Sequence, residues 1–264
     1  MAQIRGFRAS RFSAEAGPLS RLVAPPSETI SPEARERLVA EPNNIVHATM
    51  PPSDPDDRSK FVRYARASAQ LSVWRRGGVL TTDAAPAIYR LRGREAGADL
   101  FALVPLASIR DTPAPVSVKA REERLRTIEA TRTQLEPIDL LVLGASDDLA
   151  RPLGEAPIER FFDEIPGLWE TEGQPLASYT DTEGRACTLE AIADPAAVAR
   201  FAERTAGLTY VAAGDPSMVE AARAFRAALG ERPAPIAEDF VLARILGEGV
   251  VPSGLLLWSL GDFA

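Results

Sequence analysis

The apolar positions of this chain recur with two periods, and the two meet between Leu208 and Leu229 (LTYVAAGDPSMVEAARAFRAAL). An apolar, β-rich run passes through Gly214 into a segment where Met218, Ala222, Phe225 and Leu229 recur at steps of four, three and four. This pattern predicts a strand, a tight turn and a helix with one apolar face. Asp215 takes the expected N-cap. Pro216 takes the first helical position, where a missing N–H and a preset φ are tolerated. A strand that feeds a helix through glycine can hold an anion, because the first amides and the helix dipole point outward there.

Towards the N-terminus, Gln3–Phe7 reads as a short strand and Leu22–Pro26 as extended chain, since a residue before proline is pushed out of the helical region. Ser31-Pro32-Glu33 opens a helix that runs to about Ala40 and stops before Pro42. Asn44–Thr49 (NIVHAT) reads as a strand, and Met50–Asp57 as a Pro/Asp-rich loop. The longest helix is expected over Asp57–Arg76, with Phe61, Ala65, Ser68, Leu71 and Trp74 inward and Gly77-Gly78 ending it. Ala87–Arg92 and Leu100–Leu106 form an expected hairpin. Ser117–Gln134 follows as a charged helix with Leu125, Ile128 and Leu135 as its apolar stripe, and Ile138–Leu143 as a buried strand.

Gly144–Leu176 reads as loop-rich, with a short helix near Ile158–Ile165. Leu176–Thr180 and Arg185–Ile192 bracket Glu183-Gly184 as a second hairpin. Asp194-Pro195 opens a helix with Val198 and Phe201 inward. After the strand–turn–helix come a Pro-rich linker (Arg232–Pro235), a strand at Phe240–Leu246 and a last apolar strand within Leu255–Leu260. Strands and helices do not alternate regularly, so the expected class is α+β: a mixed or antiparallel sheet with packed helices. Residues 1–110 read as an N-terminal α+β region and residues 111–264 as a C-terminal one, either as two units or as one compact body.

Composition narrows the function classes. The 264 residues carry a net charge of −7, with scattered Arg and very few Lys, so nucleic acid is not an expected partner. No apolar run approaches the roughly 20 residues that span a bilayer, and the N-terminus lacks a signal-peptide core, so a cytoplasmic, non-membrane protein is expected. Cys187 is the one cysteine and His47 the one histidine, which removes intrachain disulfides, Cys/His zinc spacings and sites built on two histidines.

The residues also carry a resemblance that covers nearly the whole chain. MAQIRGFRA at the start, VAPPSETISPEARERL from Val23, EPNNIVHATMP from Glu41 and ALVPLASIRD from Ala102 resemble the bacterial family catalogued as domain of unknown function 1015. EERLRTIEATRTQLEPIDLLV from Glu122, TEGRACTLEAIADP from Thr182 and LTYVAAGDPSMVEAA from Leu208 extend the match. Family members are usually longer, so a shortened C-terminal part is expected. The family's central turn reads Asp-Gly-His-His-Arg, where this chain has Ala213, Gly214, Asp215, Pro216 and Ser217. The family's His-Glu pair is missing from Thr112–Val116, and a family histidine corresponds to Cys187. The family's Asp-Arg pair is kept in character as Glu123-Arg124. The family's turn is similar to the signature of the ParB/sulfiredoxin-like fold, whose members bind nucleotides and include kinases of free serine. That implies the same fold around the central strand–turn–helix.

The candidate ligand-binding residues are Gly214, Asp215 and Ser217 of the turn, Glu123 and Arg124 of the charged helix, and His47. No residue is assigned a catalytic role, and no metal site is expected. Each candidate has a plainer role beside it. Asp215 before proline is a helix cap, His47 a half-buried polar residue, Cys187 a buried filler, and Glu123-Arg124 a solvated helix face. Pro25-Pro26-Ser27-Glu28 reads as a structural turn first and a ligand-facing loop second. Three readings follow. The favoured one is a non-catalytic or altered homologue that keeps the fold and a small-ligand cleft between the N-terminal region and the central turn. The second is a nucleotide-dependent phosphotransferase using Asp215, Glu123 and Arg124, with nucleotide and Mg2+ as cofactors. The third is a protein-interaction scaffold.

Overall fold

The apolar runs that predict strands line up in one mixed sheet. The computed structural model describes residues 3–25, 27–59, 61–93, 98–111, 115–144, 171–180, 186–213, 215–233, 235–245 and 258–259. Its strands are β1 (Ser10–Phe12), β2 (Leu80–Thr82), β3 (Ile88–Arg92), β4 (Ala98–Pro105), β5 (Ile109–Arg110), β6 (Thr133–Gln134), β7 (Ile138–Gly144), β8 (Gln174–Thr180), β9 (Ala186–Ile192), β10 (Thr209–Ala212), β11 (Phe240–Ile245) and β12 (Trp258–Ser259). Its helices are α1 (Leu19–Leu22), α2 (Pro32–Val39), α3 (Val46–Thr49), α4 (Val62–Arg76), α5 (Val118–Thr131), α6 (Pro195–Arg204) and α7 (Ser217–Ala228).

Eight strands share the main sheet in the order β5-β10-β7-β11-β4-β3-β9-β8. The β5/β10 and β7/β11 pairs are parallel and the others antiparallel, as α+β patterning implies. Strands from residues 1–110 and 111–264 therefore sit side by side. Both expected hairpins form, as β3–β4 and β8–β9.

Alternation along each strand separates two cores. On one face Tyr89, Leu91, Phe101, Leu103, Phe240 and Leu242 pack with Ile128 of α5 and Ala221 and Phe225 of α7. On the other, Ile88, Leu100, Val104, Val241 and Ile245 pack with Ala197 and Phe201 of α6. A third cluster (Phe12, Leu22, Ile45, Ala48, Leu71, Trp74, Leu80) joins the N-terminal helices to Leu135. Cys187 is buried among the first set, a filler as its apolar neighbours imply.

Charges inside the sheet are paired, as burial demands. Arg244, with 8% of its side chain exposed, donates to Asp139 at 2.7 Å and lies 3.5 Å from the fully buried Asp99. Arg90 meets Glu190 at 2.6 Å. Gln134 stands in for a peptide. Its Nε2 donates to the Leu242 carbonyl at 2.7 Å and its Oε1 accepts the Leu242 N–H at 2.8 Å. The β7 ladder on that side of β11 begins only at Ala243, so the side chain satisfies backbone groups that would otherwise be buried without partners.

The helix starts follow their caps. Ser31, Ser117 and Asp194 accept the N–H groups of Ala34, Ala120 and Ala197 at 3.2, 3.2 and 3.0 Å. Four expectations are corrected. The helix expected to run to Gln134 ends at Thr131, where Arg132 turns left-handed at φ 52°, and Thr133–Gln134 continues as β6. Asn44–Thr49 is not a strand. Asn44 donates to the Arg21 and Val23 carbonyls and accepts the Val46 N–H, which turns the chain into the single helical turn α3. Gln3–Phe7 forms isolated bridges (Arg5 to Leu103, Phe7 to Ala87) rather than a strand, although Ile4 and Phe7 are buried. Finally, α4 begins at Val62 and buries Tyr64, Ala67, Leu71 and Trp74. Phe61 is 44% exposed instead, under the Arg126 guanidinium. Of the expected stripe only Leu71 and Trp74 are buried, because Ala65 and Ser68 contribute little apolar surface to fix its phase. The helix expected near Ile158–Ile165, the Glu183-Gly184 turn and Gly214 lie outside the described residues.

Candidate functional site

Where α5 passes the start of α7, the two charged segments of the sequence meet. The Ser117 cap sets the start of α5 and with it the positions of Glu123 and Arg124. Asp215 lies two residues before α7 begins, with Pro216 at the N-cap instead of the first helical position, and its Oδ1 still accepts the Ser217 N–H at 2.9 Å. Its Oδ2 accepts the buried Ser217 hydroxyl at 2.5 Å.

Arg124 closes this cluster. Its Nε donates to Ser217 Oγ at 2.8 Å, and its terminal nitrogens reach Glu136 and Asp215, each at 3.4 Å. Burial alone would raise the Asp215 pKa. The hydrogen bonds from Ser217 and the Arg124 charge outweigh it and hold the carboxyl below the usual carboxylate value. Next to it on α5, Glu123 accepts from Arg63 of α4 at 3.0 Å, and Arg63 also donates to Tyr64 Oη at 2.7 Å.

These residues line a cleft of about 550 Å³. Its walls are Glu123, Arg124 and Thr127 of α5, Asp215 and Met218 at α7, and the Thr133–Glu136 segment. The facing wall comes from the N-terminal region: Ser27, Arg35 of α2, Thr49–Pro51, and Arg63 and Tyr64. Ser27 opens a 3-10 turn, Ser27–Thr29, and lines the cleft.

Glu123, Arg124 and Asp215 are therefore brought together, with Ser217 anchoring them from behind. His47 is not part of the lining. It sits half-buried on α3, its Nε2 3.0 Å from the Glu41 carbonyl. The sequence reading missed Arg35, Arg63, Gln134 and Glu136. None lies in a spacing motif: Arg35 and Arg63 reach the cleft through the packing of α2 on α3, α3 on α4 and α4 on α5, and Gln134 and Glu136 through the turn that follows α5.

Chemically the cleft is well supplied with charge and poor in acid–base groups. Each of its carboxylates faces a guanidinium: Glu123 faces Arg63, and Glu136 and Asp215 face Arg124. The depressed pKa of Asp215 makes it a weak base at neutral pH. A magnesium ion bound by these three groups would have to displace an arginine from each. Among the described residues no group of three or more His, Cys, Asp or Glu is placed to hold a metal ion, and no helix is long and apolar enough to cross a membrane. A second hollow of about 990 Å³, bounded by Ile4, Pro86, Leu106, Val198 and Phe240, contains none of the candidate residues.

A mixed α+β sheet with a charged cleft at one helix start defines the class of protein. The chain belongs to the family described as protein of unknown function (DUF1015), whose model matches residues 4–238. No curated protein and no solved structure matches it.

Proposed function

We propose that the protein is an altered member of this family that binds a small polar molecule in the cleft between the N-terminal region and the central turn, without acid–base turnover. The observation that carries this reading is the closed charge network. Glu123, Arg124 and Asp215 converge on one cavity, yet each carboxylate is held by an arginine and the single histidine lies elsewhere. Such a site recognises charge and shape, and its carboxylates are engaged by arginines rather than left open to act as bases.

The convergence of these same residues also favours a second reading, a nucleotide-dependent phosphotransferase. One experiment separates the two. The purified chain is screened by thermal shift against amino acids, dicarboxylates, sugar phosphates and the nucleotides ATP, ADP and CTP, with and without magnesium. Each is then assayed for consumption. The expected outcome is a ligand that raises the midpoint by mass action, loses its effect in Arg124→Gln, and is recovered unchanged. Nucleotide consumption abolished in Asp215→Asn would overturn the binding reading in favour of phosphotransfer. A screen with no rise at all would leave the scaffold reading.

A further inference from the structure

The N-terminal wall of the cleft holds guanidinium donors that the protein leaves unused. Arg35 has five N–H donors in a planar fork, and one of them, on Nη2, donates to the Met50 carbonyl at 2.9 Å. Its other donors have no acceptor among the described residues. The Arg63 Nη2 serves both Tyr64 Oη and Glu123, while its Nε is buried without any partner. That nitrogen is closed to solvent, so the donors Arg63 can present to the cleft are its terminal Nη groups, on a side chain 34% exposed. Ser27 and Thr49 add hydroxyls to the same wall.

We propose that Arg35 and Arg63 form an oxyanion subsite that binds the phosphate or carboxylate group of the cleft's ligand. The proposal rests on the small-ligand reading above. Two oxygens of a carboxylate or a phosphate match the planar guanidinium fork, and arginines are the usual means of holding either group. Glu123 competes for Arg63, but its side chain is 45% exposed and can swing into water at little cost. The incoming anion takes the Arg63 donors in its place. The Asp215 carboxylate, which lines the same cleft, is engaged by Ser217 and Arg124 and not by either of these arginines.

The test uses inorganic phosphate and acetate, titrated separately while the arginine Nε–H signals of the full chain are followed by NMR. Either anion is expected to shift the Arg35 and Arg63 signals at saturable, millimolar concentration. Tighter phosphate binding assigns a phosphorylated ligand, and tighter acetate binding assigns a carboxylate. Arg35→Gln is expected to weaken binding tenfold or more with an unchanged melting midpoint. Glu123→Gln is expected to tighten it several-fold by releasing Arg63, which a merely structural role for Glu123 does not predict. Signals unmoved by both anions, or Glu123→Gln weakening binding, would overturn the subsite. A thermal-shift ligand dependent on Arg124 would survive that result, so failure of the subsite and failure of the small-ligand reading are distinguishable.

Discussion

Tyr210 takes a hydroxyl into the core of the sheet with no hydrogen-bond partner, at 1% exposure. Burial pushes its pKa well above the ordinary tyrosine value. An unsatisfied buried hydroxyl costs about 1–3 kcal/mol, so Tyr210→Phe should leave stability unchanged or raise it by about 1 kcal/mol in urea unfolding. A phenol whose folded pKa is raised stabilises the fold below its unfolded pKa, and that contribution is lost as pH rises through the folded value. The variant should therefore resist alkaline unfolding better than the parent. Asp215 works in the opposite sense. Its folded pKa is depressed, so its contribution is whole above the ordinary carboxylate range and is lost as pH falls through the lower folded value. With the side chain 40% exposed, solvent screening keeps this below about 1 kcal/mol. Asp215→Asn should flatten the acid limb of the stability–pH curve, measured by thermal melting from neutral pH downwards. At this scale the sequence was readable where chemistry is local. Asp215 accepting the first amide of α7 and Cys187 filling a core follow from immediate neighbours. The Arg124–Asp215 contact joins residues 91 positions apart, and nothing in the sequence between them specifies it.

Elements were legible where a cap or an alternation marked them. Ser31-Pro32, Ser117 and Asp194-Pro195 each begin a helix within a residue of the expected place, and the two hairpins follow from their β-rich runs. Asn44–Thr49 shows the limit. Its composition favours a strand, but one asparagine with three backbone hydrogen bonds decides the geometry. Asn44→Ala should cost about 2–3 kcal/mol or more, since two carbonyls and one N–H lose their partner inside the protein. It should also loosen α3, seen as faster amide exchange at Val46 and Ala48. Ser117→Ala should cost about 1 kcal/mol at the start of α5. Because that helix carries Glu123 and Arg124, ligand affinity should fall together with stability, which a chemical-denaturation series with and without ligand would reveal.

The sheet order brings the two halves of the sequence together. β11, the last strand in sequence of the main sheet, lies between β4 from the first half and β7 from the second. The cleft follows from the same arrangement: the helices of the N-terminal region close over α5 and the entry to α7. Sequence periodicity gives each helix a face but not the partner of that face. Arg35 and Arg63 therefore could not be placed opposite Arg124 before the packing was seen. Glu123 and Arg124 were singled out by the resemblance to the family's charged pair, and Asp215 by its place before Pro216 at a helix start.

Gln134 lines the cleft and also holds both backbone groups of Leu242, in the middle of β11. A strand neighbour releases an amide only when a ladder unzips, whereas a side chain releases it by turning about its own bonds. In native-state hydrogen exchange the Leu242 amide should therefore open more readily than those of Val241 and Ala243, which face β4. A molecule seated in the cleft would restrain that rotation. The slowing of one deeply buried proton would then report, from the centre of the sheet, that the cleft is occupied.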